Sequence, residues 1–487
     1  MADKISKEEI KEMIEKLNRW YSRDVVIRLS KITIENFKGV VFGEIDLKHG
    51  KKSFKPHEES DILGIYGQNG SGKTTVLDAI RVLYTCMKGS AREVCNCKDC
   101  ISSVTGNSKL TFEMEYFDKD DIKTIRYEVT LSHDDKGNGI VEAERFSVSG
   151  LFEGKKIKMQ PIIDTYSENY GFGPASKHKY FITREDKSIF SVVTEARDKG
   201  ESVLSLIDEF AFKRDILNDY TKLLSNTRIY FLFYISFVTN DGIDEIDNID
   251  YEPEFYKYGL SLVTNTKTYY FNVGGDIHYS FWDDEDDYDY WDGWEFENLE
   301  NHFKALNMVL EQLIPGIKVD IDMLSNPEFG GPSVTISHNG IPVAITEESR
   351  GIKRLISEMS MLIKAYNDER MILVIDEFDS GIFEFLIGEL LEIFEESGKG
   401  QLIFTSHNLR PLEVLNKRCI CFTTTNPENR YYRMKGVGHT YNLRNMYFRE
   451  ILLNEQDEEL YKAAKKHKLT AAFRQAGRVG KSNGEEA

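Results

Sequence analysis

The sequence predicts an α/β chain in which a parallel sheet, covered on both faces, carries a nucleotide site beside an antiparallel subdomain. Three observations predict this. First, Gly67-Gln68-Asn69-Gly70-Ser71-Gly72-Lys73-Thr74 fits the phosphate-binding loop pattern, set between a short apolar strand at 62–66 and a helical stretch from Thr74 to Tyr84. Second, Met371-Ile372-Leu373-Val374-Ile375 is a continuous apolar run ending in Asp376-Glu377, the pattern of a parallel strand buried on both sides. Third, polar-alternating segments around 109–116, 124–131 and 141–148 are separated by turn-rich Asp and Gly clusters, which reads as an antiparallel meander.

The elements follow in order. Ser6-Lys7-Glu8-Glu9 has the form of a capping box, and Ile10, Met13, Ile14, Leu17, Trp20 and Tyr21 recur at helical spacing. Residues 1–24 are therefore expected to form an amphipathic helix that packs on the body. Strands at 25–36 and 40–47, the P-loop unit and the meander make 25–150 the first part of a nucleotide-binding core. The stretch 151–339 reads as a mixed α/β insertion, with a helix near 201–224 and an aromatic strand at 229–238. It also holds the acidic, aromatic run from Trp282 to Asp292, a solvated loop or a docking surface for a basic partner. Residues 340–425 return to alternation, with a helical stripe from Ile352 to Tyr366, the 371–375 strand, a helix at about 381–396, a strand at 401–404, a short helix near 408–416 and a strand at 418–424. Residues 426–487 form a C-terminal extension. The core is thus split, with Lys73 and Asp376 standing 303 positions apart.

Bulk properties narrow the partners. The net charge of −19 opposes broad attraction to nucleic acid. A local exception is the C-terminal set Lys462, Lys465, Lys466, Lys468, Arg474, Arg478 and Lys481, a DNA contact or a solvated helix face. The apolar run at 229–238 is half of the roughly 20 residues a membrane helix needs, so no membrane contact is expected. A charged N-terminus without a leader pattern points to the cytoplasm. Cys95, Cys97 and Cys100 crowd three thiols into six residues. They are a candidate zinc set in need of a fourth ligand, for which Cys86 is available, or simply reduced loop cysteines.

The chemistry sits in four motifs. Asn69, Gly70, Ser71, Gly72, Lys73, Thr74 and Thr75 form an anion cradle at a helix N-terminus, where backbone amides close on phosphate oxygens. Lys73 would reach the β- and γ-phosphates of ATP, and the Thr74 hydroxyl would sit on Mg²⁺. Asp376 would share the Mg²⁺, and Glu377 would orient the attacking water. His407 ends the neighbouring strand, where it would sense the γ-phosphate. Ser349-Arg350-Gly351 opens the long helix with a second set of free amides, suited to a phosphate held by another subunit.

Together, the P-loop, the Ser-x-Gly helix start, Asp-Glu, the following Asp379 and His407 resemble the site set of ABC-type ATPases. Leu29-Ser30-Lys31-Ile32-Thr33-Ile34-Glu35-Asn36-Phe37-Lys38-Gly39 resembles the opening of the RecF, SMC and overcoming-lysogenisation-defect group. The resemblance implies a split ABC-type P-loop ATPase head, a parallel-sheet core plus an antiparallel β subdomain, carrying a globular α/β insertion. It implies a Mg²⁺-dependent ATP hydrolase whose copies sandwich ATP into a homodimer and build higher oligomers. Ser349 and Gly351 would then act on the partner's γ-phosphate, Asp379 would link the two sites, and His407 would be the switch. Ser-Arg-Gly-Ile in place of a transporter signature, and the lack of sustained heptads or an appended nuclease domain, resemble anti-phage defence ATPases such as AriA of PARIS and PtuA of Septu. That likeness implies a separately encoded effector, a nuclease or toxin. A RecF- or SMC-like ATPase clamping DNA is the alternative.

Overall fold

The structure is a computed structural model. It describes residues 15–22, 24–48, 51–56, 58–89, 98–119, 121–166, 175–181, 188–239, 242–244, 260–263, 268–271, 277–280, 293–322, 333–344, 347–435, 442–453, 457–462 and 465–477. The expected zinc thiols Cys95 and Cys97, the acidic run 282–292 and the first 14 residues lie outside the described residues.

Two sheets organise the head. The antiparallel one has the order β2-β1-β4-β5-β6-β7, formed by β1 (Val25–Phe37), β2 (Val40–Asp46), β4 (Asn107–Asp118), β5 (Asp121–His133), β6 (Gly139–Phe152) and β7 (Lys155–Asp164). Alternation dictates it: along β5 every second residue, Ile125, Tyr127, Val129 and Leu131, is fully buried. The meander thus extends beyond 150, with β7 as its last strand.

The second sheet has the order β19-β18-β3-β17-β16-β8-β9. Its strands are β3 (Asp61–Tyr66), β8 (Ile235–Thr239), β9 (Gly242–Asp244), β16 (Ile372–Ile375), β17 (Gln401–Thr405), β18 (Ile420–Thr423) and β19 (Tyr431–Tyr432). The five central strands run parallel and the two outermost are antiparallel additions. All six residues of β3 and all four of β16 are buried, as near-continuous apolar strands with covered faces must be.

Helix α1 (Lys73–Lys88) follows the P-loop and lies between the sheets, with Val76, Ala79, Ile80 and Leu83 in the larger core cluster. Beside it are α2 (Ser188–Asp198), α3 (Leu204–Lys213) and α4 (Asp219–Tyr234). The small strands β10 (Leu260–Val263), β11 (Thr268–Phe271) and β12 (Ile277–Ser280) form one hairpin sheet. Helix α5 (Gly293–Leu313) precedes a second sheet of β13 (Ile317–Asp322), β14 (Ser333–His338) and β15 (Ile341–Ala344). On the far face lie α6 (Arg350–Asn367), α7 (Glu384–Ser397), the single turn α8 (Pro411–Val414) and α9 (Leu443–Leu453), while α10 (Lys466–Ala476) follows α9.

Two expectations change. The aromatic run at 229–238 is not one strand: it is helix through Tyr234 and strand only from Ile235. A continuous apolar run does not reveal its period, and here the Asn218–Thr221 capping box nucleates the helix. The helix expected near 201–224 is two helices, broken where Asp215 takes φ 52°. A further change is larger. β8, within the stretch expected to be an insertion, pairs in parallel with β16 along Ile372–Ile375 and completes the core sheet.

Polar side chains join the two sheets. Arg28 and Asp61 form a buried ion pair at 2.9 Å, and Arg28 also donates to the Lys399 carbonyl. Gln401 exchanges two hydrogen bonds with the Leu29 backbone, one each way. Residues 15–20 are helical, and buried Trp20 donates its indole N–H to Asp215.

Candidate functional site

β3 ends at Tyr66 and the chain turns through the P-loop into α1. Gly70 (φ 75°) and Gly72 (φ 91°) take left-handed conformations that side chains disfavour. At Gly67 a Cβ would stand 1.7 Å from the Thr423 hydroxyl, so β18 presses directly on the loop. The Ser71 hydroxyl bonds to Thr423 and donates to the Gln68 carbonyl. Tyr431 donates to the Gly72 carbonyl at 2.9 Å. The loop is therefore held in shape by the last strands of the core. Lys73 crosses it, donating to the carbonyls of Gly67 and Gln68 at 3.0 and 3.2 Å. Burial pulls the Lys73 ammonium below its ordinary value, while the charges of Asp376, Glu377 and Asp379 oppose that shift.

The parallel register brings the second half of the site to the same end of the sheet. Thr74 Oγ1 lies 3.4 and 3.2 Å from the two carboxylate oxygens of Asp376, across 302 positions of sequence. Thr405, at the end of β17, has two jobs. Its hydroxyl donates to the Asp376 carboxylate and accepts the Glu377 N–H. Glu377 itself has φ 49°, a left-handed conformation that costs a non-glycine residue about 1–3 kcal/mol. The turn is fixed from several sides: Phe378 N–H donates to the Thr405 carbonyl, Ser380 N–H to the Glu377 carbonyl, and Arg354 to the carbonyls of both Asp376 and Glu377.

His407 follows, its backbone N–H shared by both oxygens of Asp379 at 3.1 and 3.2 Å. Asn69, Gly70, Lys73, Thr74, Asp376, Glu377 and His407 line one cleft of ≈ 370 Å³. A second cavity of ≈ 520 Å³ shares Asn69 and His407 with it and is walled by Tyr66, Leu409, Tyr447 and Tyr461. Thr75 lies outside the cleft wall and is buried in the first turn of α1.

Ser349 caps α6, its hydroxyl accepting the Ile352 N–H at 3.2 Å. Ser349 and Gly351 do not line this chain's own cleft. Gly351 instead packs on the loop after Asp379: a Cβ there would meet the Gly381 carbonyl oxygen at 2.5 Å, and Gly381 has φ 79°. One turn further along α6, Arg354 pairs with buried Glu358 at 2.7 Å while holding the Asp376-Glu377 turn. Burial pushes the Glu358 carboxyl up to about 8, against the lowering influence of Arg354.

The oxygens of Thr74 and Asp376 are hard donors of the kind Mg²⁺ takes, so the residues present fit that ion. Among the described residues no three His, Cys, Asp or Glu side chains gather to hold a metal, and Cys86 is buried in the core. Sequence reasoning missed Thr405, Thr423, Tyr431 and Arg354. Only Thr405 had a local signal, as the residue before Ser406-His407.

Residues 31–249 match the family described as an AAA domain. No curated protein matches the chain. Solved structures that overlap it include the SMC head bound to the C-winged helix domain of ScpA, at 12% identity and TM-score 0.37 over 83% of this chain and 98% of that one. The SMC head domain from Thermotoga maritima overlaps at 12% identity and TM-score 0.34, covering 84% and 99%. An SMC head with an extended coiled coil, bound to the C-terminal domain of ScpA derived from Pyrococcus furiosus, overlaps at 14% and 0.37, covering 84% and 96%. No helix among the described residues is long and apolar enough to cross a membrane. The AAA match over 31–249 and a P-loop that meets Asp376, Glu377 and His407 at one end of a split parallel sheet together give the chain the architecture of a P-loop nucleotide-binding domain.

Proposed function

We propose that the chain binds and hydrolyses ATP, with Mg²⁺, in a site that two copies complete. The observation that carries this reading is the cleft in which Lys73, Thr74, Asp376, Glu377 and His407 converge. The P-loop amides and Lys73 bind the phosphates. Thr74 and Asp376 would hold the Mg²⁺, which supplies charge neutralisation on the phosphate oxygens. Glu377 would accept a proton from water, a role supported by the left-handed backbone turn that Thr405 and Arg354 hold in place. Ser349 and Gly351, which do not line their own cleft, would serve the partner's phosphate, and the contact of Gly351 with Gly381 ties that surface to the Asp379–His407 link.

Glu377→Gln tests this. Turnover is expected to fall at least 100-fold, with ATP retained and ATP-dependent dimers accumulating in sedimentation velocity. Unchanged ATP hydrolysis by that variant would remove Glu377 from the mechanism.

We further infer that the ATP cycle drives a separately encoded effector in anti-phage defence. That reading rests on sequence likeness, and a DNA-clamping role of the RecF or SMC kind fits the same head. The basic segment from Lys462 to Arg474 favours giving the second role a direct test. Salt-dependent DNA binding by the ATP-loaded dimer would select it, whereas co-purification with the product of an adjacent gene would select the first.

A further inference from the structure

Two helix faces on this chain are exposed, apolar in part and opposite in charge. The first is α10. None of its residues is buried, yet Leu469 and Phe473, one turn apart, are 50% and 73% exposed. From Lys462 to Gly477 the chain holds Lys462, Lys465, Lys466, Lys468 and Arg474 and no Asp or Glu. Those five charges belong to a chain of net −19, so the remaining residues carry −24. None of the five side chains makes an ion pair among the described residues.

The second is the outer face of α7. Phe385, Glu389, Glu392, Ile393 and Glu396 share one stripe at helical spacing, and all are exposed. Phe383 lies beside Phe385 in a tilted pair with ring centroids 5.7 Å apart; the Arg410 guanidinium lies over the Phe385 ring at 5.1 Å, and the two residues are still 70% and 56% exposed. Glu389, Glu392 and Glu396 make no ion pair among the described residues. The helices have comparable lengths, 11 and 14 residues.

Position argues that the two faces belong to different copies. The Lys462 N–H donates to the Gln68 side chain at 3.1 Å, which pins the extension to the P-loop. α10 starts four residues later, so it begins within about 14 Å of that point. α7 begins just after the Asp379–Gly381 loop, the element that carries the Gly351 contact. Each helix therefore begins near an element, the P-loop or the Asp379–Gly381 loop, that a nucleotide-linked dimer would bring against the other copy.

We propose that α10 of one copy lies on the outer face of α7 in a second copy, with Leu469 and Phe473 against Phe383, Phe385 and Ile393, and the basic residues against Glu389, Glu392 and Glu396. The contact rests on the dimer proposed above and explains what covers each face. It places a charge-complementary clasp outside the ATP site, so its strength falls with added salt.

The test uses the full chain carrying Glu377→Gln with ATP. Reversing Lys465, Lys466 and Lys468 to Glu is expected to weaken the dimer about tenfold, and reversing Glu389, Glu392 and Glu396 to Lys by a similar factor. The six changes together are expected to restore affinity to within about threefold of the parent. An unchanged dimer constant in either triple variant, or additive loss in the combined one, overturns the clasp while leaving the ATP dimer intact. A photo-crosslinking residue at position 473, in mixed isotope-labelled copies, gives a readout that needs no ATP-dependent dimer. Adducts on α7 of the other copy support the clasp even where ATP fails to dimerise the parent, the outcome that would sink the sandwich reading instead. Adducts confined to the same copy overturn it. So does a short DNA duplex whose binding is lost on reversing the lysines while the dimer constant stays put.

Discussion

At the scale of single residues, Thr405 does more than its position suggests. It holds the Glu377 backbone and the Asp376 carboxylate through one hydroxyl. Replacement by Val keeps the shape and removes both bonds. We expect Thr405→Val to cost about 1–2 kcal/mol of stability and to lower turnover at least tenfold, measured by denaturant unfolding and steady-state hydrolysis. Unaltered turnover would show that Glu377 is held without it. Arg28 is the structural counterpart. Arg28→Ala leaves Asp61 charged and buried without its partner, and we expect a loss of about 3–5 kcal/mol in urea unfolding. A matched replacement of both residues by apolar side chains is expected to cost much less, and an equal cost would contradict the desolvation argument. The P-loop, Asp376, Glu377 and His407 were legible in the sequence because each belongs to a motif of local spacing. Thr423 and Tyr431 were not, because their importance arises only from β18 and β19 pressing on a loop more than 350 positions earlier.

At the scale of elements, α6 couples two surfaces. Its first turn presents Ser349 and packs Gly351 on Gly381, and its second turn holds the Asp376-Glu377 backbone through Arg354. Glu358 beneath Arg354 gives this helix a pH signature. Its carboxyl stands at about 8 in the fold and near 4.5 when exposed. A raised folded value means the fold binds that proton more tightly, so its contribution is full below about 4.5 and is lost as pH rises through about 8. Unfolding free energy of Glu358→Gln is therefore expected to be flatter between pH 5 and 8 than that of the parent. Equal slopes would show that Glu358 does not titrate in that window. Element types were legible wherever the pattern had a clear period, as in β4, β5, β6 and the apolar stripe of α6. The run at 229–238 misled because an aromatic stretch buried on most sides looks the same in either period.

At the scale of the whole molecule, the head is assembled from three separated stretches rather than two. β8 supplies a strand to the core from what reads in sequence as an insertion, so excising 151–339 is expected to remove part of the core sheet. A chain with that stretch replaced by a short linker is expected to lose cooperative unfolding and ATP binding. Retention of both would show that β8 is dispensable. The strand order also sets a schedule for synthesis. β3, which leads into the P-loop, pairs on its two sides with β17 and β18, and the first pair joins Asp61 to Gln401, 340 positions later. A ribosome has therefore made most of the chain before that strand gains either neighbour. Until then its apolar faces and open edges lack the neighbours that cover them. A copy cut short before β17 and β18 therefore lacks the sheet on which the P-loop is set.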